Sequence, residues 1–317
     1  MGVISVTDFY RGKGVCVTGG CGLVGSALVP LLVKRGAAVL VLDDMSRGRN
    51  RVSGAQYLQG DAADTLYCRA AFIDADVVIN LAAYVAGVTF NQDHNTEMYL
   101  NNARLQITPA RVADEMEIQH FLQVSSVCVY AEDKQDPCIE SEMGGDPNRA
   151  NAGYAWAKRM GENAVGWSNI EHAVIVRPAN IYGINDYFDE RAHVIPALIA
   201  KTLGDGDTIE VNGTGNEVRE FLFAEDAARG MLTAIERGAA GEVYNIGTNG
   251  ANSCTISELA YMIRDILGMD KAIVFTGGNS GDQRRIVNGD KLARLGWQAE
   301  VGLAEGLKAV CEWKLAQ

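Results

Sequence analysis

Thr18-Gly19-Gly20-Cys21-Gly22-Leu23-Val24-Gly25 constrains this chain more than any other segment. It follows the apolar run Val15–Thr18 and opens a helical pattern over Gly22–Arg35. In that setting the glycines permit a tight turn and let backbone amides at a helix N-terminus approach a pyrophosphate. The next apolar run, Ala38–Leu42, leads to Asp43, 18 residues past Gly25 and close to the roughly 20-residue spacing of an acid that holds a ribose diol. Gly19, Gly22, Leu23, Val24, Gly25 and Asp43 are therefore candidate cofactor-binding residues. A carboxylate at that point repels a 2′-phosphate and favours NAD over NADP, with Arg47, Arg49 and Arg51 close behind it as the opposing consideration. The plainer reading, glycines that only close a βα turn, accounts for neither the strand, the helix nor Asp43. Asp61 and Ala62 follow Leu58-Gln59-Gly60 where a third strand would end, either beside the adenine or on an exposed loop.

Apolar runs at Val15–Thr18, Ala38–Leu42, Val77–Leu81, Phe121–Ser125 and His172–Arg177 read as parallel strands buried on both faces. Helical patterns over Gly22–Arg35, Thr96–Glu115 and Ala152–Trp167 are long enough to cross over such a sheet. The alternation predicts an α/β fold, a Rossmann-like doubly wound parallel sheet with a smaller, interleaved α/β substrate lobe. After Pro178 come a charged loop (Asp186, Asp189, Glu190, Arg191), a helix at Ile195–Leu203 and the turn Asn212-Gly213-Thr214-Gly215. Helix and strand return from Phe221 to Gly247, before a final helical section. With 317 residues the chain exceeds the usual single-core size. We expect residues 1–180 plus about 222–248 to form the dinucleotide-binding domain, and about 181–221 plus 249–317 the second lobe.

Charge and cysteine usage exclude several classes. The 40 acidic against 28 basic residues give a net charge of −12, which argues against a general nucleic-acid or anionic-membrane binder. Any phosphate site must therefore be local. Seven scattered cysteines show neither a CxxC pair nor a Cys/His cluster, a pattern that suits a reducing cytosol and no metal site. Met1–Gly14 lacks a sustained apolar core and no stretch approaches the ~20 apolar residues of a membrane span, so the expectation is a cytoplasmic, untargeted protein.

Tyr154-Ala155-Trp156-Ala157-Lys158 lies in the third helical pattern, where residues four apart share one face. Upstream, an apolar strand ends in Ser125 and Ser126. A hydroxyl, a phenol and an ammonium in that order suit redox chemistry on a carbinol. A phenol titrates near pH ~10, so action as a base near neutrality needs roughly 4 kcal/mol from adjacent positive charge. Lys158 and a nicotinamide ring could supply it. Taken alone, Tyr154 and Lys158 are an ordinary helix pair and the serines an ordinary strand end; the ordered set lifts them.

With these motifs in this order, the chain resembles the extended short-chain dehydrogenase/reductases that act on nucleotide sugars, nearly end to end. The resemblance implies that Ser126 hydrogen-bonds the reacting sugar hydroxyl, that Tyr154 is the general acid/base, and that Lys158 holds the nicotinamide ribose while lowering the tyrosine pKa. It implies a cofactor-lining role for Leu81, Ala82, Ala83 and Asn101, and substrate contacts for Val85, Gly87, Asn180, Arg219 and Arg284. It also implies a homodimer packed through Thr96–Glu115 and the Tyr154–Lys158 helix.

Ser125-Ser126-Val127-Cys128-Val129-Tyr130, followed by Glu132-Asp133-Lys134-Gln135, resembles the GDP-mannose 3,5-epimerases within that family. In extended geometry Ser126 and Cys128 project to the same side. The likeness implies a transient 4-keto sugar from which Cys128 removes a carbon-bound proton; the bland alternative is a small buried hydrophobe. It favours a GDP-sugar among nucleotide diphosphate sugars. The subfamily's lysine acid is replaced here by Asp189, with His193 and Lys201 as further possible donors. That departure keeps open a net C4 dehydrogenase, reductase or dehydratase using the same triad, and a non-catalytic binding protein is the remaining alternative.

Overall fold

The computed structural model describes residues 9–48, 50–132, 134, 137–278 and 282–317. Arg49, Asp133 and Gln135 lie outside these described residues. The first part of the chain runs β1 (Gly14–Thr18), α1 (Leu23–Lys34), β2 (Ala38–Asp43), β3 (Ala55–Gln59), α2 (Thr65–Phe72), β4 (Val77–Asn80), α3 (Val88–Asp93), α4 (Asn95–Glu115), β5 (His120–Val124), α5 (Ala152–Gly166) and β6 (His172–Pro178). It continues through β7 (Asn180–Tyr182), α6 (Val194–Leu203), β8 (Thr208–Val211), β9 (Val218–Phe223), α7 (Ala224–Arg237) and β10 (Val243–Ile246). It ends in β11 (Ser253–Thr255), α8 (Ile256–Ile266), β12 (Ala272–Phe275), β13 (Arg284–Arg285), α9 (Asp290–Ala293) and α10 (Leu303–Leu315).

Seven strands form one parallel sheet in the order β3-β2-β1-β4-β5-β6-β10, the doubly wound arrangement expected from the apolar runs. The chain moves outward from β1 to β3, then returns to place β4 on the other side of β1. The carboxyl ends of β1 and β4 thus open a crevice, with Thr18 paired to Asn80 across it. One face of the sheet packs on α1 and α7 through Leu28, Leu32, Met231 and Ile235. The other packs on α2, α4 and α5 through Phe72, Ala110, Val112 and Val165. A third core, built from Ile195, Ile199, Ile209, Phe221, Leu259, Ile263, Leu307 and Val310, joins α6, α8 and α10 to the short strands beyond β7.

The final section was expected to be helical, but it also contributes β11, β12 and β13. β11 pairs antiparallel and β13 parallel with β9, and β12 pairs parallel with β8. These strands are two to four residues long, too short for a period-2 pattern to emerge from the sequence.

Close approach of α4 and α5 fixes the position of the Tyr154 helix. A Cβ on Gly153 would fall 2.0 Å from the Asn95 carbonyl oxygen, and one on Gly161 would fall 2.7 Å from the Gln106 Cβ. Behind β5, the buried Glu162 carboxylate accepts from Arg177 Nε at 2.8 Å and Nη2 at 2.6 Å, and also from Ser125 Oγ. Arg177 Nη1 donates to Tyr130 Oη and to the Glu140 carbonyl. Ser125 therefore anchors the strand end structurally, which leaves Ser126 to face the crevice. Glu162→Ala should strand a buried guanidinium and cost about 3–5 kcal/mol, whereas Glu162→Met combined with Arg177→Met should cost less; urea unfolding of both variants checks the ordering.

Candidate active site

The glycine loop is shaped by backbone contacts that leave no room for side chains. Gly19 has φ 68°, and a Cβ there would lie 2.8 Å from both Cα and N of Ala82. A Cβ on Gly25 would lie 2.2 Å from the Gly20 carbonyl oxygen, so only glycine lets α1 pack this tightly on the loop. No side chain caps the N-terminus of α1, no acidic residue occupies its first turn, and Leu23, Val24 and Gly25 form that turn. These amides fit a diphosphate. Asp43 is buried at the end of β2, accepting from Cys21 N at 2.9 Å and Met45 N at 2.8 Å. Burial raises its pKa against those two hydrogen bonds.

Arg47 and Arg51, the described arginines closest after Asp43, are engaged elsewhere. Arg47 makes a two-pronged pair with Asp189 (3.0 and 2.6 Å), donates to the Val85 carbonyl at 2.9 Å and lies over the Tyr187 ring. Arg51 lies over the Tyr57 ring. Asp61 is exposed and accepts from Ala63 N, while Ala62 is buried beside it. Leu81, Ala82 and Ala83 follow β4 directly and line the opposite wall. Asn101 is half-buried on α4. Its neighbour Asn102 is the one that pins this wall, accepting from Tyr84 N at 2.9 Å and donating to the carbonyls of Tyr84 and Met98 at 2.8 Å. Two adjacent asparagines on a helix carry no sequence signal of which faces inward.

Residues 184–193 form a strap across the mouth of the loop. Tyr187 Oη lies 3.5 Å from the position a Cβ would take on Gly22. The Gly87 N–H donates to the Arg191 carbonyl at 3.0 Å, and a Cβ on Gly87 would meet the Ala192 carbonyl at 2.5 Å. Asp189 is thus a latch held below its ordinary pKa chiefly by Arg47, although partial burial opposes this. Lys201 donates to the Glu210 carbonyl in the lobe. Of the three donors considered from sequence, His193 at the start of α6 remains uncommitted to an ion pair; burial, and then Arg47, push its pKa down to about 4.

Ser126 closes β5 in extended geometry, but Val127–Val129 form a single 3₁₀ turn instead of continuing the strand. The expectation that alternation along a strand would align Ser126 with Cys128 is therefore corrected. Ser126 Oγ caps the turn, accepting from Cys128 N at 3.1 Å, and this folds the thiol back toward the same hydroxyl. The hydroxyl neighbours both the Cys128 thiol and the Tyr154 phenol. Burial raises the pKa of both acids, with the Ser126 hydrogen bond acting downward on each. Lys158 is buried below Tyr154, its Nζ 5.5 Å from the ring centroid, donating to the Val124 carbonyl at 2.7 Å and to Gln106 Oε1 at 3.1 Å. Burial lowers its pKa to about 7.

The lobe side of the site carries Arg219, whose guanidinium lies within electrostatic reach of Cys128, as do the Asp282 carboxylate and the Arg285 guanidinium. Arg285, paired in register with Arg219, is buried and held by Asp282 and the Ala131 carbonyl. Arg284 is exposed one residue earlier. Sequence reasoning took Arg284 as the contact from the Arg284-Arg285 pair, since an Arg-Arg pair does not reveal which member points inward. Asn180 is half-buried and donates to the Glu220 carbonyl at 2.8 Å.

A glycine loop at the switch point, an acid ending β2 and a Ser126–Tyr154–Lys158 cluster beside it find a counterpart in known proteins. The model of the NAD dependent epimerase/dehydratase family matches residues 15–247. The chain belongs to that family. GDP-L-fucose synthase 1 of Arabidopsis thaliana is 29% identical over 328 residues, covering 99% of this chain and 96% of the relative. The UDP-glucose 4-epimerase of Thermotoga maritima, solved with UDP-glucose, superposes with a TM-score of 0.86 at 26% identity, covering 96% of this chain and 99% of that one. The dTDP-glucose 4,6-dehydratase DesIV of Streptomyces venezuelae, solved with NAD bound, gives a TM-score of 0.86 at 25% identity and covers 96% and 97% of the two chains. This family member is an enzyme whose cofactor is NAD. Releasing the latch by Arg47→Ala should free the strap and speed NAD release about tenfold, equivalent to roughly 1.4 kcal/mol; stopped-flow displacement of bound NAD measures it.

Proposed function

We propose that the protein is an NAD-dependent nucleotide-sugar epimerase that works through a transient 4-keto sugar, on a GDP-sugar, with inversion beside the ketone in the manner of GDP-mannose 3,5-epimerases. The observation that carries this reading is the placement of the Cys128 thiol on a 3₁₀ turn capped by Ser126 Oγ, which accepts from Cys128 N at 3.1 Å. A catalyst that only inverts carbon 4 needs no third acid beside its serine and tyrosine. The near full-length likeness to GDP-L-fucose synthases supports the guanine nucleotide.

NAD held by the glycine loop and Asp43 would supply the hydride acceptor and donor for reversible oxidation at carbon 4. Tyr154 takes the proton of the 4-hydroxyl, oriented by Ser126, while the Lys158 ammonium beneath it stabilises the developing phenolate. The ketone acidifies the protons on carbons 3 and 5. Cys128 removes one as the thiolate, a form that burial opposes and that Arg219 and Arg285 favour. His193 is the group we assign to return a proton on the opposite face, since Asp189 is latched and Lys201 is turned to Glu210; it would act as the imidazolium, a form that burial and Arg47 oppose and an anionic substrate would favour. Arg219 and Arg285 would meet the diphosphate, arginine's planar fork being suited to paired phosphate oxygens.

The alternative is a net C4 dehydrogenase, reductase or dehydratase, favoured by the latching of Asp189 where the subfamily has its lysine acid. Tyr154→Phe should lower turnover of GDP-mannose by roughly 10²–10⁴-fold, and near-normal turnover would contradict the assignment. Cys128→Ser should abolish inversion at carbons 3 and 5 while leaving oxidation at carbon 4 intact, with product chromatography reading the first and nicotinamide absorbance the second.

We also propose a homodimer through the α4/α5 face. Leu100 and Trp156 are 57% and 42% exposed there, beside Tyr99 and Met160, an apolar surface that a second copy would cover. Leu100→Glu with Trp156→Glu should convert a dimer to a monomer in sedimentation-velocity runs; an unchanged sedimentation coefficient would remove this face from consideration.

A further inference from the structure

The floor of the site holds a chain of buried amides that the chemistry above does not use. Thr18, Asn80, Gln123 and Gln106 are each fully buried, on β1, β4, β5 and α4. Thr18 Oγ1 donates to Asn80 Oδ1 at 2.6 Å, and Asn80 Nδ2 donates to Gln123 Oε1 at 3.1 Å and to the Leu105 carbonyl. Gln123 Nε2 donates to Gln106 Oε1, and Gln106 Nε2 donates to the Ala82 carbonyl at 2.9 Å. Lys158 Nζ also donates to Gln106 Oε1.

The ends of this chain dictate its direction. An ammonium can only donate, so Gln106 must turn its oxygen to Lys158, and its nitrogen then meets Ala82, whose carbonyl can only accept. Gln123 must in turn present its nitrogen to the Gln106 oxygen and its oxygen to Asn80. The Gln106 amide therefore turns its negative end to Lys158, while Gln123 and Asn80 turn their nitrogen ends along the chain toward Gln106. Ala82 is the residue packed against Gly19 in the wall of the dinucleotide groove. Gln106 thus ties the lysine to that wall.

We propose that Gln106 is a positioning residue for the reaction: its side-chain oxygen, fixed in orientation by the Gln123–Asn80–Thr18 chain, holds the Lys158 ammonium charged and aimed, and its nitrogen keys that ammonium to the cofactor wall through Ala82. This rests on the role given above to Lys158. The ammonium has three protons, and Val124 and Gln106 take two, leaving one for a ribose hydroxyl. The other ionisable groups facing Lys158 are Tyr154 and Glu162 on its own helix and Cys128 on the 3₁₀ turn. Glu162 is already bound to Arg177 and Ser125, so Gln106 is the side-chain oxygen in direct contact. A charge-assisted hydrogen bond in a dry site is stronger than a neutral one, and losing the acceptor leaves the charge less compensated.

The test is a ¹³Cε-lysine NMR titration of the full-length protein, with the Lys158 signal assigned by its loss in Lys158→Met, run on wild type, Gln106→Met and Gln106→Glu. Gln106→Met keeps the volume and removes the acceptor, and should raise the acid dissociation constant of Lys158 about tenfold or more. Gln106→Glu supplies a carboxylate and should shift it in the opposite direction. Where Gln106→Met fails to fold, as judged by circular dichroism, Gln106→Glu alone decides. Unchanged titration of Lys158 in a folded variant would overturn the proposal. In turnover assays with GDP-mannose, Gln106→Met should lower kcat and move the alkaline arm of its pH profile to lower pH, and Gln106→Glu should move that arm to higher pH. A titration that shifts as expected in an enzyme inactive on every nucleotide sugar would leave the proposal standing and count against the reading of function instead.

Discussion

The hydrogen bond from Thr18 to Asn80 crosses the point where the sheet reverses its winding, and the rest of the site depends on the close strand approach it marks. β1 and β4 end side by side there, so the glycine loop leaving one strand must pass the Leu81–Ala83 segment leaving the other. Gly19 and Ala82 touch with no space for a Cβ. The groove that results has amides on one wall and a backbone carbonyl network on the other. Asp43, Asn102 and Gln106 then hold those walls through hydrogen bonds to main-chain atoms. In a parallel sheet, crossover helices need only reach back over the strands; here α4 and α5 also deliver Gln106 and Lys158 to the same junction.

Charge in this junction is balanced by placement and not by number. The chain carries twelve more acidic than basic residues, 40 against 28, yet the described residues around Cys128 include Arg219 and Arg285. Burial pushes Tyr154 and Cys128 toward their protonated forms and Lys158 toward its neutral one. All three shifts oppose the ionised states that acid/base work at a carbinol requires. Hydrogen bonds from Ser126 and to Val124 and Gln106 act in the favourable direction, and a bound cationic nicotinamide would favour the Tyr154 phenolate and Cys128 thiolate further. A site of this kind is quiet when empty and is brought to reactivity by what it binds.

Much of this was legible in the sequence because it follows from short-range rules. Glycines between a strand and a helix, an acid after the next strand, and a Tyr-x-x-x-Lys on one helical face are local patterns with few physical solutions. The crossover helices and five of the seven parallel strands, β1, β2, β4, β5 and β6, follow likewise from periodic patterns and apolar runs. Orientation was harder to read. Whether Asn101 or Asn102 turns inward, or Arg284 or Arg285, depends on tertiary packing that adjacent identical residues do not encode. The 3₁₀ turn at Cys128 depends on a serine cap, which a strand-like apolar sequence hides. Asp189 was legible as a departure from a motif but not as the partner of Arg47, 142 residues away in the chain. The buried amide chain left no trace, since scattered Thr, Asn and Gln residues on four elements have no spacing in common.

The most direct test is to incubate the protein with GDP-mannose in heavy water and follow product mass and nicotinamide absorbance together. Proton abstraction through Cys128 predicts deuterium at carbon in an otherwise isomeric sugar, with no net NADH. A product lighter by two hydrogens with NADH accumulating, or a product lacking water, would contradict the epimerase account while leaving the fold and the cofactor groove as described.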